Sequence, residues 1–519
     1  MIAFESILVL LLAAVVLAAA ARRTGAPYPA FLAIGGVVLA FVPGAPAFVL
    51  QPELALALFV APVLLDAAYD ASPRDLRYNW VAVASLAVGV VLLTTVAVAF
   101  VTHALVPGLT WAAAIALGAI VAPPDAAAAT AVLRQVRPPH HIVTILEGES
   151  LLNDATALLI YRVAVGAVLA GSFSIGTVAP TFLLGVAGSI VAGPILAWIS
   201  LRVIKHVEDV PSSIILQFIS TFGVWLLAER FGLSGVLTVV CYAVAAAREA
   251  PDITPARIRI PAYAVWDTVV FVMNVLAFVL IGLQVRPILA SLDNPSRNLY
   301  LFSAGATLLT AIAVRFAWVM AHSTVARWWS HRSGFRPPGH LAPPTWRAAL
   351  IVAWCGMRGI VTLAAALALP TGVDGVRFPY RDLIVLTAFC VVLGTLVLQG
   401  LSLRPLLRAL DLPDDDPVGQ EVARARERAL QAAFESLAGN TSPEAEAVRR
   451  EYAPLLATPG DLLRLAEPGT APEDELRRRA VAAARRALSQ MRAHDEIGDA
   501  AFHRLEQELD WVEMTSSPR

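Results

Sequence analysis

Lysine is all but missing: Lys205 is the single lysine among 39 basic residues. Arginine carries the rest of the positive charge, a usage that points to a high-GC bacterial genome. Charge of either sign is scarce as well. Only 15% of the 519 residues are charged, where soluble proteins carry about 25%. The net charge is −1, so charge gives no reason to expect a nucleic-acid partner. The three cysteines, Cys241, Cys355 and Cys390, each fall inside an apolar run. That placement excludes a disulfide framework or a cysteine metal site. The chain shows no repeat at a fixed period. The first apolar run carries Glu5 with no basic residue ahead of it, and Arg22 and Arg23 follow it. This is wrong for a cleaved signal peptide. It fits a first transmembrane helix with its N-terminus outside.

Apolar residues are abundant. They make up 58% of the chain, and the mean hydropathy is +0.69. Apolar runs long enough to span a bilayer recur up to about residue 408. The expected spans lie near 5–21, 28–43, 53–69, 79–105, 111–133, 145–170, 177–204, 212–230, 234–248, 266–285, 298–326, 346–370 and 382–408. With about thirteen spans and an outside N-terminus, the cytoplasmic loops hold about 17 Lys and Arg, against about 5 on the other side. This distribution obeys the positive-inside rule. The expected fold is an all-α polytopic membrane protein in residues 1–408, with a cytosolic helical tail in 409–519. The tail opens on the acidic linker "DLPDDDPVG" and continues with two to four amphipathic helices. It holds 14 basic and 22 acidic residues, a net of −8, which argues against an anionic membrane surface as its partner.

Ionisable residues within a span are costly to bury and so mark function. The stretch "EGESLLNDATALLIYR" (147–162) is the densest case. Ser150, Asn153 and Asp154 stand at i, i+3 and i+4, on one face of a helix, and Glu149 stands one turn before Asn153. A carboxylate beside an amide and a hydroxyl suits a small hard cation. Burial raises a carboxylate's proton affinity and a cation lowers it, so one Asp can hold either a proton or a metal ion. In "GAIVAPPDAAAATAVLRQ" (118–135), Pro123 and Pro124 break a span and place Asp125 at the break. Asp66, in "VLLDAAYD" (63–70), is a vestibule acid or a salt-bridge partner, and "SPRDLR" after it reads as a loop. Two arginines also lie inside spans. Arg315 is expected to pair with Glu149 or Asp66 and to brace Asn153. Arg358, between Gly356 and Gly359, is expected to support a second broken helix.

These residues resemble those of the monovalent cation:proton antiporters, the NhaP-type and eukaryotic sodium/proton exchanger group. The Glu-Ser-x-x-Asn-Asp string is the most specific match. "WCGMRG" (354–359), "FVMNVLAFVLIGLQV" (271–285) and "LLAERFGLSGVL" (226–237) add to it. The resemblance covers residues 1–408. It implies a homodimer whose protomers have a dimerisation domain and a six-helix core of inverted repeats, with two discontinuous helices crossing at the ion site. It makes Asp154 the carrier of ion and proton, Asn153 its partner, Ser150 a ligand, Asp125 the acid of the crossing helix and Glu149 a structural acid. An Asn at position 153 goes with electroneutral exchange. The chain departs from the pattern in reading Pro124-Asp125-Ala126, without a threonine before the Asp.

The function read from these features is exchange of a monovalent cation for H+, with Na+ first and K+ or Li+ as alternatives. The expected location is the plasma membrane of a bacterium, with the C-terminus in the cytoplasm. Cation and proton are cargo held at Asp154, Asp125 and Ser150. No cofactor, enzyme activity or nucleic acid is implied, and the tail's partner is unassigned. An intramembrane aspartyl protease would use Asp125 and Asp154, but a Gly-x-Gly-Asp string is missing. A cation channel, or a sensor signalling through the tail, is the other alternative. No repeated filter-like loop supports the channel.

Overall fold

A computed structural model gives the fold. It describes residues 2–515 except 25–26, 44–51, 126–127, 131–132, 134–137, 171–174, 291, 293–296, 334–344, 371–377, 413–415 and 458–470. Of the tail linker's acidic run, Asp414 and Asp415 lie outside the described residues. The described residues are mostly helical, with no strand among them.

The membrane part is built from α1 (Ile2–Thr24), α2 (Tyr28–Ala40), α3 (Ala61–Asp70), α4 (Pro73–Tyr78), α5 (Trp80–Leu105), α6 (Trp111–Val121), α7 (His140–Ala170), α8 (Ile175–Ile204), α9 (Val210–Arg230), α10 (Gly235–Ile253), α11 (Ala256–Leu283), α12 (Arg297–Ser333), α13 (Trp346–Trp354), α14 (Ile360–Leu367) and α15 (Arg381–Leu410). A four-residue helix, Pro52–Ala55, and a π-helical turn, Leu56–Val60, lead into α3. Helix starts follow the sequence closely. Thr110, Asp209, Ser234 and Thr345 each cap a helix by accepting a backbone N–H three residues on, as short polar side chains do at these ends. "SPRDLR" is not a loop. Ser72 accepts from the Asp75 N–H and Pro73 starts the first turn, which together close the short helix α4.

Among the described residues, seven helices are long and apolar enough to cross a membrane. The shorter apolar helices α2 and α6 accompany them. Leu183, Leu184, Ile190, Val191 and Ile195 stand exposed on α8, an apolar face that water would not tolerate but lipid would.

Packing sorts the helices into two groups. α1, α2, α3, α8, α9, α10 and α11 pack mainly with one another. α5, α6, α7, α12, α13, α14 and α15 form the second group. In the second group α5, the broken segment beginning with α6, and α7 follow one another. The sequence long, broken, long then recurs in α12, α13–α14 and α15.

The tail holds α16 (Pro417–Glu435), α17 (Pro443–Ala457), α18 (Ala471–Ala493) and α19 (Asp499–Thr515). They enclose a small apolar core of their own, with Leu430, Tyr452, Leu488, Phe502 and Leu505 at its centre.

Candidate functional site

The site begins with two helices that stop halfway. α6 ends at Val121, where Pro123 and Pro124 supply no backbone donor. α13 ends at Trp354, and residues 355–359 are not helical until α14 starts at Ile360. The two breaks meet. The backbone N–H of Asp125 donates to the carbonyl of Met357 at 2.7 Å. Gly359 packs so tightly on the Asp125 side chain that a Cβ there would lie 1.5 Å from Oδ2. Only glycine admits this approach.

Arg358 ties the breaks together. It is fully buried. Its Nε donates to the Val121 carbonyl at 3.0 Å and its Nη2 to that of Ala122 at 3.4 Å. Its Nη1 donates to the Gly356 carbonyl, and its backbone N–H donates to Thr395 Oγ1 at 3.0 Å. The guanidinium therefore caps the last carbonyls of α6, where a helix carries partial negative charge.

α7 passes the crossing unbroken and presents the acidic string to it. Asn153 is 0% exposed and Asp154 6%. Asn153 Nδ2 donates to the Pro124 carbonyl at 2.9 Å, using an acceptor that the broken helix leaves available. Its Oδ1 is buried with no partner among the described residues. Asp154, next to Asn153 in α7, is thus held near the break that carries Asp125. Ser150 stands one turn before Asp154, half-buried.

Arg315 of α12 resolves the pairing that the sequence leaves open. It binds Glu149, not Asp66: Nη1 to Oε1 at 2.5 Å and Nη2 to Oε2 at 2.8 Å. Nη2 also reaches the carbonyl of Val352 at 3.0 Å and lies 3.4 Å from that of Cys355. Arg315 does not hydrogen-bond Asn153. It holds the α7 backbone through Glu149 one turn earlier, while Asn153 is held by Pro124. Asp66 is elsewhere. It lines a cavity of about 190 Å³ with Tyr69, Arg259, Tyr263 and His503, the last from the tail. Thr395 and the Pro124, Val121 and Met357 carbonyls are partners that the sequence does not announce. The donors that seek them, Arg358, Asn153 and the backbone N–H of Asp125, are its only signal.

A profile of the transmembrane sodium/hydrogen exchanger family matches residues 8–409. The chain belongs to the sodium/hydrogen exchanger family. One relative is a Bacillus pumilus protein named as a sodium, potassium, lithium and rubidium/H+ antiporter, 31% identical over 84% of this chain and 66% of its own length. Another is the low-affinity Na+/H+ antiporter NhaS1 of Synechocystis, 29% identical over 78% of this chain and 73% of its own length. Among solved structures, the sodium proton antiporter MjNhaP1 of Methanocaldococcus jannaschii superposes with a TM-score of 0.59 at 20% identity, covering 79% of this chain and all of that one. This exchanger thus shares the NhaP antiporter fold and is a multi-pass membrane transporter.

Proposed function

We propose that the chain is a secondary active antiporter exchanging a monovalent cation for H+ by alternating access. The observation that carries this reading is the Asn153–Pro124 hydrogen bond. It sets Asp154 and the unpartnered Asn153 Oδ1 against the break that carries Asp125. A buried carboxylate without a counter-charge is unstable, so Asp154 holds a proton or a cation and is not left empty while it crosses. Asn153 Oδ1, Ser150 Oγ and Asp125 complete an oxygen set for a bare monovalent ion. Glu149 is already neutralised by Arg315 and stands outside the exchange. Asn153 adds no charge of its own, which favours one cation for one proton. Na+ is the first cargo. The name of the Bacillus pumilus relative includes potassium and lithium beside sodium, which supports keeping K+ and Li+ as alternatives.

In the same reading residues 1–408 form the transport domain, with about thirteen crossings, and 409–519 the cytoplasmic tail. The two long–broken–long triplets are inverted repeats of a mobile six-span core. The group containing α1, α8 and α11 is the scaffold through which two protomers dimerise. The protein sits in a bacterial inner membrane with its N-terminus outside.

The test is purified protein in proteoliposomes. Internal pH is followed while Na+, K+ or Li+ is added outside, at pH about 6 to 9, a range that a shifted carboxylate spans. Cation-driven proton movement that is lost in Asp154→Asn, with the melting curve kept, is the expected result. A folded Asp154→Asn protein that exchanges at the wild-type rate would refute the site. No cation response in the folded wild type would instead favour a channel or sensor.

A further inference from the structure

The tail is fastened to the membrane part at two places that differ in burial. The first is enclosed. Arg259, near the start of α11, is 4% exposed. Its Nη2 and Nε donate to Asp510 of α19 at 2.6 and 2.7 Å, and its Nη1 lies 3.0 Å from Glu506. Asp510 is fully buried and also accepts from Arg485 at 2.9 Å. Arg492 Nη2 adds a bond to the Ala247 carbonyl of α10 at 3.1 Å.

The second place is wetter. Arg74 of α4 donates to Glu421 of α16 at 2.9 Å, with side chains 13% and 18% exposed. Arg77 pairs with Asp495, with side chains 65% and 41% exposed. Arg74 also bonds Asp75 at 3.0 Å. Asp75 in turn lies 3.3 Å from Nε2 of His140, in the first turn of α7. That helix carries Ser150, Asn153 and Asp154.

The enclosed contact is thus made to α10 and α11 of one helix group. The wet contact is made to α4 and, through Asp75, to α7 of the other. The tail bridges the two groups that exchange must move past one another. Its charge matches its seat. Residues 409–519 carry −8, and the remaining 25 basic and 18 acidic residues give 1–408 a net of +7.

We propose that the tail is an electrostatic latch that responds to cytoplasmic ionic strength. It stays mounted on α11 through Arg259, and rising salt releases it from α4. The inference rests on the exchange reading above. Salt shortens the reach of exposed charges, from about 30 Å at 0.01 M to about 8 Å at 0.15 M, and screens buried pairs much less. Exposed pairs are also individually weak. The α4 contact, where the Arg77–Asp495 pair stands exposed, therefore loosens first. A cell loaded with salt frees the α7 group to move, and a dilute cytoplasm holds it back. The ligand is salt as a whole, not one ion.

The experiment uses the full chain in proteoliposomes at fixed Na+ and fixed osmolarity. Choline chloride on the tail side is raised from about 20 to about 400 mM, and exchange should rise about threefold or more. Glu421→Gln with Arg77→Gln should be fast at low salt and flat. Arg74→Glu with Glu421→Arg should regain the salt dependence. Hydrogen exchange read on the same samples is independent of transport. Amides of Leu76–Tyr78 should lose protection as salt rises, while those of α19 keep it. Wild-type exchange that ignores salt, or unchanged protection at Leu76–Tyr78, would overturn the latch. Loss of that protection in a sample with no cation-driven exchange at any salt would retain the latch and sink the exchange reading instead.

Discussion

The Asp125 carboxylate rests on Gly359 at a distance that leaves no room for a Cβ: the added atom would sit 1.5 Å from Oδ2. Gly359→Ala must therefore push the two broken helices apart or rotate Asp125 away. Overpacking of this kind costs about 1–3 kcal/mol. We expect a lower melting temperature in detergent and loss of cation-driven proton movement. A variant that melts and exchanges like the parent would show that the crossing is slack.

Arg315 and Glu149 form a fully buried pair. Removing one partner leaves an uncompensated charge in the membrane, worth about 3–5 kcal/mol. Arg315→Ala should be strongly destabilised. Arg315→Leu combined with Glu149→Leu should recover much of the loss, because no charge is then stranded. Thermal unfolding of the two variants side by side decides this. A double variant less stable than Arg315→Ala would contradict it.

Asn153 supplies an uncharged donor to Pro124. Asn153→Asp removes that donor and adds a second titrating charge beside Asp154. Exchange in this variant should become sensitive to an imposed membrane potential, which the parent should ignore. An active Asn153→Asp protein that still ignores the potential would argue against the one-for-one reading.

Thr395 Oγ1 accepts the backbone N–H of Arg358 inside a fully buried layer. Thr395→Val keeps the volume and orphans that donor, at about 1–3 kcal/mol. The melting temperature should fall even though residue 395 touches no cargo. An unchanged value would mean that Arg358 is held by its side chain alone.

Glu506 anchors the tail from within. Burial by itself would raise its proton affinity. The His503 hydrogen bond and the charges of Arg259 and Arg485 outweigh that and hold it below the usual carboxylate range. A depressed folded-state value means that the stabilisation is complete above the unfolded value, about 4.3, and is lost as pH falls through the folded one. The anchor should therefore be flat from neutral pH down to about 5 and fail only in stronger acid. Hydrogen exchange of α19 against pH reads this. Loss of protection well before pH falls to about 5 would contradict this assignment of the anchor to Glu506.

The breaks, the acids and the arginines of the site were legible because each violates what a membrane span prefers. Pro123 and Pro124 cannot sustain a helix ladder, and Asp125, Glu149, Asp154, Arg315 and Arg358 are too costly to bury without purpose. Their partners were harder to read. Arg315 had two acids within reason, and only packing separates Glu149 from Asp66. Arg358 and Asn153 spend their donors on backbone carbonyls, which every residue possesses and no sequence pattern marks. Ser72 and Pro73 look like a turn, although the same pair also starts a short helix. The docking of the tail was not legible at all, because Arg259 sits beside prolines at a span end, where a loop charge is ordinary. Nothing local announces Asp510.

Arg259 and Asp510 stand 251 positions apart. A ribosome making this chain releases the helix that begins at Ala256 long before it reaches the residue that neutralises Arg259. Until those residues are made, that arginine must be satisfied by water or lipid phosphate at the bilayer surface. Helix α19 then displaces them, so the anchor between α11 and the tail closes only after Asp510 has been made.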